Sequence, residues 1–107
     1  MPTQLTQHFT LEELNPRSWP LTPEVRANLQ RLAERLEEVR AWLKRPIVIT
    51  SGYRTREHNK AVGGSPRSYH LHGLAADIIV MGMTPKQVQA VLKRKWKGGL
   101  GLGVGFT

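Results

Sequence analysis

The succession of helix, strand, loop, strand, helix and strand signals along this chain predicts an α+β domain. Three observations carry that prediction. Apolar residues recur at spacings of four and three at Val25, Leu29, Leu32, Leu36, Val39 and Leu43. Two short β-branched runs, at residues 47–50 and 77–80, bracket a long loop. Leu100, Leu102, Val104 and Phe106 then alternate along a glycine-rich end. A chain of 107 residues has room for one modest core, so a single domain over residues 1–107 is expected.

Taken in order, Thr10, Leu11, Glu12 and Glu13 have capping-box form and predict a short opening helix. Asn15-Pro16 and Trp19-Pro20 break the chain after it. Thr22 is an N-cap with Pro23 at the first helical position. The long amphipathic helix that follows ends before Pro46. Residues 47–50 read as a buried strand. Residues 51–76 read as a loop rich in Gly, Ser, Asn and Arg, of a length that compact domains reserve for function. Residues 77–80 read as a second strand carrying Asp77 at its start. Thr84-Pro85 opens another helix, with Val88, Val91, Leu92 and Trp96 on one face, and the last strand-like stretch stops at Thr107.

Composition excludes several classes. Hydrophobic content of 39% and charged content of 22% are those of a globular chain, which argues against wholesale disorder. With no cysteine, disulfides and thiolate metal sites are excluded. The N-terminus has no basic and apolar leader pattern, and no run approaches a membrane span. The net charge of +8, from 16 Lys+Arg against 8 Asp+Glu, fits a solvated surface or a polyanionic partner, either nucleic acid or an anionic cell-wall polymer. The densest cluster, Lys93-Arg94-Lys95 with Lys97, falls where cations suit a helix C-terminus. Nucleic acid is the weaker partner, because neither helix-turn-helix nor zinc-finger spacing is present.

Chemistry concentrates between Ser51 and Asp77. The pattern Ser68-x-His70-x-x-Gly73-x-Ala75-x-Asp77 places an imidazole and a carboxylate seven residues apart, with Arg54 upstream. One nitrogen and one oxygen ligand beside a fixed cation are what a hydrolytic zinc site asks of its protein. His70 and Asp77 are therefore candidate metal ligands. Gly52, Gly63, Gly64 and Gly73 permit close backbone approach in a loop folded over a cleft. His72 would face away from His70 in an extended segment, and His8 and His58 read as surface residues.

The run Ser51-Gly52-Tyr53-Arg54, then Asn59, Val62-Gly63-Gly64 and the His/Asp motif, resembles the D-Ala-D-Ala carboxypeptidase family of zinc peptidases. That family shares its fold with lysostaphin-type enzymes and the hedgehog signalling domain. The opening His8-Phe9-Thr10-Leu11-x-Glu13-Leu14 also resembles the start of its small phage and bacterial members, including endolysins. The resemblance implies a small antiparallel sheet packed with helices. It implies a zinc metallopeptidase acting on peptidoglycan stem peptides, at D-Ala-D-Ala or another bond involving a D-residue. His70 and Asp77 match two of three zinc ligands. Arg54 matches the arginine that holds substrate and stabilises the oxyanion, and Ser68 a serine that shapes the substrate cleft. A protein of this kind would remain cytoplasmic until release, or travel with a virion, and act at the cell wall.

The sequence departs from the family pattern at one place. The family's third zinc ligand is a histidine on a strand near the C-terminus, with a carboxylate close by; here no histidine follows His72 and no acidic residue follows Asp77. Glu57 is the nearest carboxylate in sequence, but nothing assigns it the role of base. A chain cut at this point, a natural truncation, or a ligand from another molecule would each account for the gap, truncation of an ordinary enzyme being the expectation. The 107 residues are then expected to bind zinc poorly and hydrolyse little. The alternative is a relative that binds wall peptides without cleaving them.

Overall fold

The computed structural model describes residues 3–93 and the backbone of Gly105–Phe106. Helix α1 spans Leu11–Leu14, α2 Pro23–Leu43, α3 Arg56–Ala61 and α4 Pro85–Leu92; a 3₁₀ turn covers Tyr69–His72. Strands β1 (Ile47–Ser51), β2 (Ala76–Val80) and β3 (Gly105–Phe106) form one antiparallel sheet in the order β1-β2-β3. The expected α+β class is found.

Local chemistry sets the helix boundaries. The Thr10 hydroxyl accepts from the Glu13 amide while the Glu13 carboxylate accepts from the Thr10 amide, closing the capping box of α1. Thr84 and Gln87 close a second capping box at α4, Thr22 caps α2 by its hydroxyl alone on the Val25 amide, and each helix has a proline in the first turn. Helix α2 stops at Lys44, which adopts a left-handed φ of 53° just before Pro46. Its buried residues are Asn28, Leu29, Leu32, Ala33, Leu36 and Val39. All but Asn28 join Phe9, Leu14, Ile47, Ile78, Val80, Val88 and Leu92 in one core cluster.

The sheet corrects the reading of residues 47–50 as a strand buried throughout. Ile47 pairs with Val80 and Ile49 with Ile78 on the core side, whereas Val48 pairs with Ile79 on the outer side. Val48 and Ile79 are 47% and 54% exposed. A β-branched run therefore serves a sheet covered on one face, and the period-two pleat alone separates inner from outer residues. Strand β2 begins at Ala76, one residue earlier than expected, and Asp77 shares the outer face with Ile79. Val91, expected on the apolar face of α4, is 38% exposed. Of the last strand-like stretch, Gly105–Phe106 pair with β2; Trp96, Leu100, Leu102 and Val104 lie outside the described residues.

The stretch 51–76 is not one loop. Its first part holds α3, capped by the Thr55 hydroxyl on the His58 amide, and its second the 3₁₀ turn. Arg56, Glu57, Lys60 and Ala61 are good helix formers behind an N-cap, a signal present in the sequence but overshadowed by the glycines around it.

The N-terminal segment is fastened by one side chain. Glu37 on α2 accepts from the His8 backbone amide at 2.6 Å and contacts His8 Nδ1 at 2.6 Å. Burial alone would raise the Glu37 pKa, but the Thr6 hydroxyl, the bonds from His8 and the imidazole charge outweigh it and hold the carboxyl below its ordinary value. His58 is half-buried rather than a free surface group, with its ring 5.2 Å from that of Trp19. No helix among the described residues is long and apolar enough to cross a membrane.

Candidate active site

Arg54, His70 and Asp77 come together beside the outer face of the sheet, and a bulge in β1 sets their register. Ile49 pairs with Ile78 and Ser51 with Asp77, so Thr50 is an extra residue between two consecutive partners. The Thr50 hydroxyl donates to the Asp77 carbonyl at 3.2 Å, while Ser51 takes the place opposite Asp77. On the other side of β2, Asp77 pairs with Gly105.

His70 enters from the 3₁₀ turn. The Ser68 hydroxyl caps this turn by accepting from the His70 amide at 3.2 Å, and Gly73 ends it with φ +70°. At Gly73 a side chain would be strained and would meet Leu29 of α2 at 3.1 Å, so the turn lies close against the long helix. The ring of His70 is buried, with Nδ1 2.7 Å from the carbonyl oxygen of Gly52. A carbonyl oxygen only accepts, so Nδ1 carries the hydrogen and Nε2 is left with its lone pair.

The opposite wall is the arginine. Arg54 donates from Nε to Ser51 Oγ at 3.1 Å, from Nη1 to Asn59 Oδ1 at 3.3 Å and from Nη2 to Asp77 Oδ2 at 3.3 Å. Its backbone amide donates to the His70 carbonyl at 3.0 Å, tying the two segments together. Asn59 is itself buried, and its Nδ2 donates to the Ser65 carbonyl at 2.8 Å. At Gly64 a Cβ would fall 2.1 Å from Asn59 Oδ1, so this glycine leaves space for the carboxamide that holds Arg54.

The geometry can be tested against a zinc ion. Donors about 2.0–2.1 Å from one tetrahedral ion stand about 3.4 Å from each other. His70 Nε2 and Asp77 Oδ2 stand 3.5 Å apart. The nitrogen keeps its lone pair on that side because the other ring nitrogen is committed to Gly52. This pair fits two ligand positions. Among the described residues no group of three or more His, Cys, Asp or Glu could hold a metal, so a further donor is needed for a closed protein site.

The remaining sequence candidates separate from this centre. Ser68 touches the site through the His70 amide it caps. His72 is exposed, and its carbonyl accepts from Asn28 Nδ2 at 2.9 Å. Glu57 is exposed on α3. Sequence reasoning assigned no role to Ser51 or Asn59 and gave Gly52 close backbone approach but not the carbonyl that holds His70, although all three stand in the motif. Their contributions depend on contacts that no local spacing encodes.

A family model described as Peptidase M15 matches residues 7–106. No curated protein and no solved structure matches the chain.

Proposed function

The chain belongs to the Peptidase M15 family, and from that premise we propose that it is a zinc-dependent peptidoglycan peptidase, a D,D-carboxypeptidase or stem-peptide endopeptidase. The observation that carries the proposal is the approach of Arg54 Nη2 and His70 Nε2 to the same oxygen, Asp77 Oδ2, at 3.3 and 3.5 Å. Reading residues 1–107 as a single peptidase domain is supported by the one core cluster that unites its helices and sheet.

In this reading His70 and Asp77 hold the metal. A zinc ion bound there would supply Lewis acidity and lower the pKa of a coordinated water toward neutrality. The chain's own residues do the positioning. Gly52 fixes the ring and tautomer of His70 through its carbonyl. Arg54, three of whose donors are already aimed by Ser51, Asn59 and Asp77, can stabilise negative charge developing on a scissile carbonyl oxygen. Ser68 shapes the cleft by holding the turn that presents His70. The net charge of +8 favours approach to an anionic wall polymer. Action at the cell wall, after release from the cytoplasm or as part of a virion, follows from the same reading.

Zinc analysis combined with stem-peptide hydrolysis tests it, on this chain and on the chain extended beyond Thr107 by a histidine-bearing strand. β3 beside Asp77 supports that choice of extension. Zinc uptake and cleavage that appear or rise with the extension support the peptidase. Peptide binding without cleavage in both forms favours the binding-only relative. Absence of both zinc and peptide binding from both forms overturns the proposal.

A further inference from the structure

Asn59, which accepts from Arg54, also lines a cavity of about 570 Å³. That volume is within the roughly 300–1,000 Å³ of small-molecule sites. Its walls are of two kinds. Pro66 and Leu71 supply apolar surface, while Arg56 and Lys60 supply two cations, and no acidic residue lines it. The cations stand four residues apart on α3 and share one face of the helix. Like charges at that spacing repel. Neither forms an ion pair among the described residues. An anion between them would relieve the repulsion and gain two charge-assisted contacts.

The cavity adjoins the candidate site through two residues. Asn59 lines the cavity and accepts from Arg54 Nη1 through Oδ1. Leu71 lines it too and directly follows His70 in the 3₁₀ turn. A peptide reaching the Arg54–His70–Asp77 centre would thus have a cationic, partly apolar hollow one residue away.

We propose that this cavity is a second substrate subsite that binds a branch carboxylate of a stem peptide, away from the bond to be cut. The inference rests on the wall-peptidase reading above. Arg56 and Lys60 hold the carboxylate, and Pro66 and Leu71 pack on the aliphatic carbons next to it.

Isothermal titration of this chain with two stem pentapeptides tests the subsite. The peptides are identical except that the branch carboxylate of the γ-linked D-glutamate is free in one and amidated in the other. The free acid is expected to bind about fivefold tighter, the scale of two solvent-facing charge contacts. In the Arg56→Gln/Lys60→Gln double variant that ratio should fall to one. Circular dichroism checks that α3 and the fold survive, since both side chains are exposed and the Thr55 cap is left intact. Equal affinities in the unaltered chain, or a ratio that persists in the double variant, would overturn the subsite and leave the peptidase reading standing. Failure of both peptides to bind would count against the wall-peptide reading itself and remove the subsite with it.

Discussion

The carbonyl of Gly52 holds the ring of His70 at 2.7 Å, and the same glycine is pressed against the end of α1. A Cβ at Gly52 would lie 2.5 Å from the Leu14 carbonyl oxygen, which already accepts from the Tyr53 amide at 2.9 Å. Backbone-to-backbone packing therefore fixes the atom that orients the candidate metal ligand.

Gly52→Ala should accordingly do two things at once. Forcing β1 away from α1 should cost about 1–3 kcal/mol of stability, as overpacking does. Loosening the anchor of His70 should weaken zinc binding about tenfold, the low end for a lost outer-shell partner. Thermal unfolding and a zinc titration measure the two effects. A destabilised variant with unaltered zinc affinity would separate the packing role from the orienting one.

Replacing Arg54 by alanine should spare the metal and harm the chemistry. The guanidinium takes no ligand position, and its removal frees Asp77 Oδ2 from a competing cation. Zinc content should therefore stay the same or rise. In the chain extended by a histidine-bearing strand, single-turnover cleavage of a stem peptide should fall about 10²–10³-fold, as when one oxyanion donor is removed. His70→Ala should instead abolish zinc uptake and cleavage together.

Gly64→Ala is predicted to act on Arg54 without touching it. The new methyl would displace Asn59, whose carboxamide bridges Ser65 and the guanidinium. A stability loss of about 1–3 kcal/mol should accompany it. A fall in kcat larger than any change in KM is the signature of a misaligned arginine rather than a damaged peptide cleft. Asn59→Asp, which preserves the acceptor but removes a donor to Ser65, should retain more turnover than Asn59→Leu.

The His8–Glu37 contact predicts an acid-sensitive N-terminal segment. Because the Glu37 carboxyl is held below its ordinary value in the folded chain, its stabilising contribution is present above the unfolded carboxylate pKa. The contribution is lost as pH falls through the lowered folded value. Glu37→Gln should lower stability at neutral pH by about 1 kcal/mol, discounted for partial exposure. The difference between the two proteins should shrink as the solution is acidified below the carboxylate range. Unfolding midpoints measured across that range check the sign.

How much of this was legible in the sequence depends on the range of the interaction. Thr22-Pro23 and the stripe from Val25 to Leu43 announce α2, because cap and periodicity are local and both agree with the tertiary packing. Ile47, Val48 and Ile49 say strand but not which face is covered, since all three are β-branched and only the partner strand decides. His70 and Asp77 stand out by residue type and spacing. Asn59 and Gly64 do not, because what makes them matter is one close approach between a carboxamide and a backbone. The helix within residues 51–76 is an intermediate case, signalled by Thr55 yet masked by the surrounding glycines.

The bulge at Thr50 gives the region an arithmetic that substitutions do not reveal. In a regular ladder the residue directly after Ile49 would face Asp77, and the bulge passes that place to Ser51. Deleting Thr50 would close the bulge and keep Ser51 opposite Asp77. Inserting a residue between Ser51 and Arg54 would instead leave every side chain of the Arg54–His70–Asp77 centre chemically intact while moving the arginine out of step with the serine that steadies it and with the carboxylate. Between β1 and Arg54, then, the chain should accept changes of residue far more readily than changes of length.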